Sequence, residues 1–407
     1  MATDAPNYTI ISADTHAGAN HETYREYLDP AWRDAFDEWR GAYKNPWKDL
    51  RNTDLRVRNW DDDRRETDQF ADGVVGEVLF PNTVPPFYPG FVLFAGPPKP
   101  EEYERRRAGI HAHNRWMVDF CARRPAQRAG IGQIFLNDVD DAITDATWIK
   151  EHGLRGGVLL PTVAPDVTWV EPLYSPIYDP LWAALQDLDM PVHLHGGTGS
   201  PNYGRFAATP MVMITEVSFY GLRPLVHLIL AGVFERFPRL KYVVTEAGAS
   251  QFPAMIAQMD GVIASVRSGA IGELKYSADD ALPRSAAEYF QQNVWLGASF
   301  PAPADIDARS CVAPGRFMWG SDYPHDEGSG PFSREHLRQV MWDLDEAEKR
   351  KILGENAAAL YDFDLAALAP LAAEHGPSVE ELARPLTELP ANPNAALLRG
   401  TAGARVA

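Results

Sequence analysis

The segment LRGGVLLP at 154–161, the segment YDPLWAALQDLD at 178–189 and the segment MPVHLHGG at 190–197 read in order as a strand, a helix and a second strand. The two strand runs are continuously apolar rather than alternating, the pattern of strands buried on both faces of a parallel sheet. Outward from this unit the alternation repeats. Upstream lie Tyr8-Thr9-Ile10-Ile11, VVGEVLFPN at 74–82 and AGIGQIFL at 129–136; downstream lie LKYVVTEAG at 240–248, NVWLGAS at 293–299 and RFMWGSD at 316–322. Eight strands are predicted, near 8–13, 75–81, 129–136, 154–160, 190–196, 240–246, 293–298 and 316–321. Eight strand–helix units in about 360 residues fit an α/β fold of the distorted (β/α)8 TIM-barrel kind better than an open sheet. No GxGxxG follows the first strand, which disfavours a dinucleotide fold.

The barrel domain is expected over residues 1–375. It carries an inserted, Trp-containing excursion from the core at about 41–66, and a Pro/Phe/Gly loop at about 82–100. Phe87, Tyr88, Phe91 and Phe94 in that loop suit contact with an apolar ligand or a partner subunit. A Pro- and Ala-rich extension, 376–407, wraps the surface or is partly mobile. The 407 residues carry a formal charge of −18, with 45% hydrophobic residues. That balance fits a folded globular protein and argues against a nucleic-acid partner, which calls for clustered Lys and Arg. Two cysteines, Cys121 and Cys311, make neither a disulfide framework nor a cysteine metal motif. No apolar run long enough for a membrane span and no signal peptide is read, so the expectation is a cytoplasmic protein.

In a barrel of this kind the active site lies at the carboxyl ends of the strands. Strand 1 ends in Asp14-Thr15-His16, whose first and third side chains share a face. Strand 2 carries Glu77 and ends at Asn82, strand 5 gives His193 and His195, strand 6 ends in Thr245-Glu246, and strand 8 runs into Asp322 and His325. Imidazoles and carboxylates are the usual ligands of zinc, manganese or iron. Asp14, His16, His195 and Asp322 are the expected ligands. His193 is either a substrate contact or a hydrogen-bonded support. Asn82 is a further candidate substrate contact. Arg155 and Arg223 are candidates to grip a substrate carboxylate, and Gly196 and Gly197 allow close backbone approach.

Asp14-Thr15-His16, MPVHLHGGTGS (190–200), GVFERFPRLKYVVTEAG (232–248) and above all MWGSDYPH (318–325) followed by GENAAALYDFD (354–364) resemble the amidohydrolase-related family. This is the aminocarboxymuconate-semialdehyde decarboxylase-like branch of the amidohydrolase superfamily. The resemblance covers roughly residues 8–365. It implies a distorted TIM barrel with one divalent ion, zinc first and manganese or iron as alternatives, held by Asp14, His16, His195 and Asp322. It also implies a small-molecule substrate and, by family habit, a homodimer. Many relatives place a proton-handling histidine after strand 6; here that position is Ala247, with Glu246 beside it. Glu246, His193 or His325 is expected to stand in as the base, the alternative for Glu246 being a structural carboxylate paired with an arginine; with Asp322 passing the proton on, Glu246, Asp322 and His325 are the expected catalytic groups. The leading expectation is hydrolysis of an amide, lactone or related carbonyl by metal-activated water. Non-oxidative decarboxylation of an aromatic or unsaturated acid is the alternative, and a metal-free binding protein a third reading.

Overall fold

The computed structural model describes residues 6–44, 56–90, 95–161 and 163–401. Eight parallel strands form a nearly closed barrel: β1 (Ile10–Ala17), β2 (Val74–Pro81), β3 (Arg128–Gln133), β4 (Gly157–Leu159), β5 (Pro191–His195), β6 (Lys241–Thr245), β7 (Val294–Ser299) and β8 (Phe317–Gly320). They are hydrogen-bonded in sequence order, each to the next. A two-residue ribbon, Ala270–Ile271 with Leu274–Lys275, is the one pairing outside the barrel among the described strands, and it was not foreseen. β1 runs further than its apolar residues suggest, so Asp14 and His16 lie within the strand.

The seam between β1 and β8 closes at its carboxyl end. The Asp322 N–H donates to the Asp14 carbonyl (2.9 Å), and the His16 N–H donates to the Tyr323 carbonyl (2.7 Å). Gly320 makes this approach possible, since a Cβ there would lie 2.7 Å from the Asp14 Cβ. The two chain segments that carry acidic site groups are thus stitched together directly.

Two apolar layers sandwich the strands. Outside, Val158, Val192, Tyr242 and Trp319 pack against helix residues such as Trp182, Leu228 and Phe290. Inside, Ile11, Val78, Ile131, Val243 and Met318 join Leu360, Tyr361 and Leu368 from the helices after β8. These helices, Asn356–Tyr361 and Leu365–His375, plug the amino-terminal mouth, where Asn356 Nδ2 donates to the Phe317 carbonyl (2.7 Å). With that mouth filled, only the carboxyl-end face is left for a site.

Several peripheral expectations change. Residues 45–55 of the expected excursion lie outside the described residues. Its later part is no excursion: helix Asp62–Asp72 packs on β1 and β2, and Asn59 and Arg65 are buried. In the 82–100 loop, Phe91 and Phe94 also lie outside the described residues. Phe87 and Tyr88 do not form an open wall. Phe87 packs with Leu28 and Phe36, and Tyr88 with Val84, Ile110 and Phe135. The extension is anchored over residues 376–401. Asn394 Nδ2 donates to the carbonyls of Gly328, Ser329 and Gly330, in the loop that follows β8 (2.8, 2.9 and 3.2 Å). Helix Thr209–Leu230 is, by length and composition, apolar enough to span a bilayer, contrary to the expectation that no run is. Its carboxyl half is buried against the barrel through Leu222, Leu225, Leu228 and Ile229.

Candidate metal centre and active site

β1 turns Asp14 and His16 to the same side, and the structure brings β5 and the β8 loop to meet them. His16 Nε2 lies 3.4 Å from Asp14 Oδ1 and 3.0 Å from Asp322 Oδ1. His195 Nε2 lies 3.4 Å from Asp14 Oδ1. All four residues are buried. Neither nitrogen of His16 has a hydrogen-bond partner, and neither does Asp322 Oδ2. Buried polar atoms are normally paired, and orphans call for an explanation. Two imidazoles and two carboxylates that converge, with atoms of His16 and Asp322 left unpaired, are a donor set for one divalent cation. Asp14, His16 and His195 each offer a ligand atom within 4.8 Å of the others, as do His16, Asp322 and His325.

Burial holds the imidazolium form of His16 down, with His325 adding repulsion, so its pKa falls to about 4. A neutral imidazole is the form that binds a metal. Burial also opposes charge on His195, but Asp14 and then Glu246 outweigh it and lift its pKa to about 9. For Asp322, burial works against ionisation, but His325 and His16 win and hold its carboxyl well below the usual carboxylate range. His325 Nδ1 sits 2.8 Å from Asp322 Oδ1; burial again opposes charge, and Asp322 raises its pKa to about 10. His325 therefore orients the Asp322 carboxylate. Its Nε2 lies 3.3 Å from Asn82 Nδ2, so Asn82 also stands at the site, steadied by Asn59 Oδ1 at 2.7 Å.

Glu246 completes the ring. Its Oε2 lies 3.3 Å from His195 Nδ1, its carboxylate lies within 4.8 Å of ligand atoms of Asp322 and Glu327, and its side chain is a quarter exposed. Burial, then the charges of Asp322 and Asp14, push its carboxyl above the ordinary glutamate range. Both Glu246 (φ +55°) and Asp322 (φ +61°) occupy the left-handed backbone region. Non-glycine residues there cost on the order of 1–3 kcal/mol, which the surrounding structure must hold, and such strain clusters at functional sites.

Three expected residues stand elsewhere. Arg155 lies at the opposite, amino-terminal mouth, where it donates to the carbonyls of Arg128, Pro125 and Asp362 and stacks on Phe363. It cannot grip a substrate. His193 faces the same way as His195 but two residues deeper, roughly 6.6 Å along the strand. Its Nε2 bonds the Gly156 carbonyl (2.8 Å), its ring lies over Tyr361, and burial lowers its pKa to about 3. It is a support beneath the site rather than a substrate contact. Arg223 sits near the rim with Nη1 donating to the Val163 carbonyl in the loop after β4 (3.1 Å).

Other residues matter that the sequence reading passed over. Ser299, at the carboxyl end of β7, donates to Asp14 Oδ2; the rule that polar residues at strand ends mark the site would have found it. Arg65 donates to the His16 carbonyl (2.7 Å) and to Glu77 Oε2 (2.5 Å), bracing β1 from outside. Nothing local in the sequence marks it.

A family model described as amidohydrolase matches residues 53–363, a span that begins after Asp14 and His16. Among curated proteins, a gamma-resorcylate decarboxylase of Polaromonas sp. strain JS666 is 24% identical over 328 residues, covering 78% of this chain and 91% of that protein. Among solved structures, the 5-carboxyvanillate decarboxylase of Novosphingobium aromaticivorans, complexed with manganese and a nitrobenzoic acid, matches with a TM-score of 0.61. The two are 21% identical, over 87% of this chain and 96% of that one. A dihydroxybenzoic acid decarboxylase of Polaromonas sp. JS666, with manganese and 2-nitroresorcinol, matches at 0.61 and 19% identity, over 87% of this chain and 97% of that one.

Proposed function

The chain belongs to the amidohydrolase family, and from that premise we propose that it is a metal-dependent, non-oxidative decarboxylase of a hydroxylated aromatic carboxylic acid. That it is an enzyme of this superfamily sets aside the metal-free binding protein. The observation that carries the proposal is the convergence of Asp14, His16, His195 and Asp322 in a chain aligned along nearly the whole of a gamma-resorcylate decarboxylase. The hydrolytic reading rested on the missing histidine after β6. It gives way because the similar curated proteins carry the name of decarboxylases.

Asp14, His16, His195 and Asp322 would hold the ion; manganese, present in two similar structures, replaces zinc as the first expectation. When bound, the ion supplies Lewis-acid stabilisation to substrate oxygens. The protein's own groups do the rest. Glu246, at the open side of the cluster, gives its proton to the ring carbon that bears the carboxylate. The bond from that carbon to the carboxyl carbon breaks, its electron pair stays with the ring, and CO2 leaves. Glu246 regains a proton from water. Asp322, held in place by His325, stands where it can accept a hydrogen bond from a ring hydroxyl, and Asn82 flanks the same opening.

Incubation of manganese-loaded enzyme with a panel of hydroxybenzoates in D2O tests this. The expected result is CO2 release with one deuterium at the vacated ring carbon. Turnover of lactones or amides without CO2 from any hydroxybenzoate would refute the proposal in favour of hydrolysis.

A further inference from the structure

The family match ends at residue 363, yet the chain beyond it returns to the loops that carry site residues. Its last helix, Ala395–Thr401, packs on helix Ser333–Val340 with Ala396 and Leu397 buried, and Gln339 Nε2 donates to the Leu397 carbonyl (3.1 Å). The Arg399 guanidinium lies 5.1 Å from the centre of the Phe300 ring, next in the chain to Ser299. Asn394, just before this helix, faces two ways. Its Oδ1 accepts from the Leu397 N–H (3.1 Å), a bond of the N-cap kind. Its Nδ2 donates to three successive carbonyls, those of Gly328, Ser329 and Gly330.

These carbonyls belong to a stretch that folds back beneath the site. The Ser329 N–H donates to the Ser321 carbonyl (2.9 Å), the Gly328 N–H to the His325 carbonyl (3.2 Å), and the His325 N–H to the Asp322 carbonyl (2.9 Å). Gly328 comes so close that a Cβ there would stand 2.5 Å from the Ser321 carbonyl oxygen and 3.1 Å from that of Asp322. Two hydrogen-bond steps therefore join Asn394 to Ser321 and His325, which flank Asp322.

We propose that Asn394 is a positioning residue of the reaction: it holds the loop after β8 in the conformation that places Asp322 and His325. The proposal rests on the reading of those two as site groups. Gly328-Ser329-Gly330 has two glycines in three residues, and glycine loses the most conformational freedom on ordering, so such a stretch stays fixed only where bonds restrain it. Gly328 and Ser329 are buried, and buried carbonyls need donors, which the Asn394 amide supplies. Asp322 sits in the left-handed region, a conformation the surroundings must hold, and the loop's bond to Ser321 acts on the residue just before it. Tolerance at a reacting site is narrow: a misplacement of about 1 Å can cost on the order of 10²-fold in rate.

Asn394→Asp keeps a capping oxygen but has no N–H for the loop, so it separates the loop from the helix. In the full, manganese-loaded chain, kcat for CO2 release from hydroxybenzoates should fall about 10–100-fold while KM stays within about threefold. Manganese should bind about 10-fold weaker by titration. Hydrogen exchange should quicken at residues 326–332 and stay unchanged in β1–β8. Asn394→Ser, which also keeps a capping oxygen, gives the same reading should the aspartate variant fail to fold. A wild type that releases no CO2 from any hydroxybenzoate would refute the decarboxylase reading alone; weaker manganese binding and a looser loop in the variant would still support the role of Asn394. Manganese affinity and exchange at 326–332 within about twofold of wild type would overturn the proposal. So would protection lost across the whole barrel, which would assign Asn394 to stability only.

Discussion

Replacing Arg65 by Met should loosen the proposed metal centre without touching the side chain of any proposed ligand. Arg65 is fully buried. Its Nη1 donates to the carbonyls of His16 (2.7 Å) and Arg58 (2.6 Å), its Nη2 donates to Glu77 Oε2 (2.5 Å), and its guanidinium stacks 5.0 Å from the centre of the Tyr323 ring. One side chain thus grips β1 at the proposed ligand His16 and the β8 loop beside the proposed ligand Asp322. Methionine fills much of the volume but supplies no donor. Glu77 keeps Gln69 (2.7 Å) and Arg128 (3.2 Å), and it loses its closest countercharge. Removing one partner of a buried ion pair costs about 3–5 kcal/mol. The orphaned His16 carbonyl falls within that range, because the same guanidinium serves both. An unfolding entropy of about 2.1 cal/mol/K per residue over the 407 residues gives roughly 0.85 kcal/mol/K, so Tm should fall by about 4–6 °C. Supporting residues behind metal ligands typically govern 10–100-fold in affinity, and manganese should bind weaker by about that factor. Scanning calorimetry and metal titration read the two effects. Arg65→Lys keeps the charge and loses the forked geometry, and should fall between wild type and Arg65→Met. A Tm within about 1 °C of wild type together with unaltered manganese affinity would refute the reasoning.

Glu246→Gln removes the proposed proton donor and keeps its shape; kcat should drop about 10²–10⁴-fold with metal content intact, measured by CO2 release and metal analysis. Gly320→Ala inserts a methyl group into space occupied by Asp14, so it should lower bound metal per chain as well as activity, read by elemental analysis. Asp72 is buried, and that burial raises its pKa to about 6 even though Ser333 Oγ and N–H donate to it (2.7 and 3.3 Å). A carboxyl raised on folding binds its proton more tightly in the native state. Its contribution is therefore full below about pH 4 and is lost as pH rises through about 6, roughly 3 kcal/mol in all. Asp72→Asn should flatten that part of the stability profile. Urea unfolding between pH 4.5 and 7 checks it, and an unaltered slope would count against the assignment.

The barrel was legible because its signal is local. Continuous apolar runs broken by helical segments mark strands buried on both faces, whatever lies far away in the chain, and all eight appear close to their expected positions. The spacing of Asp14 and His16 was legible for the same reason, since strand alternation alone turns them to one side. Depth and direction were not. His193 has the spacing of a site residue but sits a layer below it, and Arg155 follows a helix at the wrong mouth of the barrel. Both errors come from reading a position near a strand as a position at its carboxyl end.

What the sequence determined by itself was the alternation of elements and the stock of imidazoles and carboxylates at their ends, because these depend on residues a few positions apart. Only the tertiary structure decided that Asp14 and Asp322, 308 positions apart, meet across the seam at Gly320, that Arg65 braces them from outside, and that the carboxyl-terminal extension returns to hold the loop after β8. Those outcomes depend on barrel closure, which sets distances between segments that no local pattern encodes.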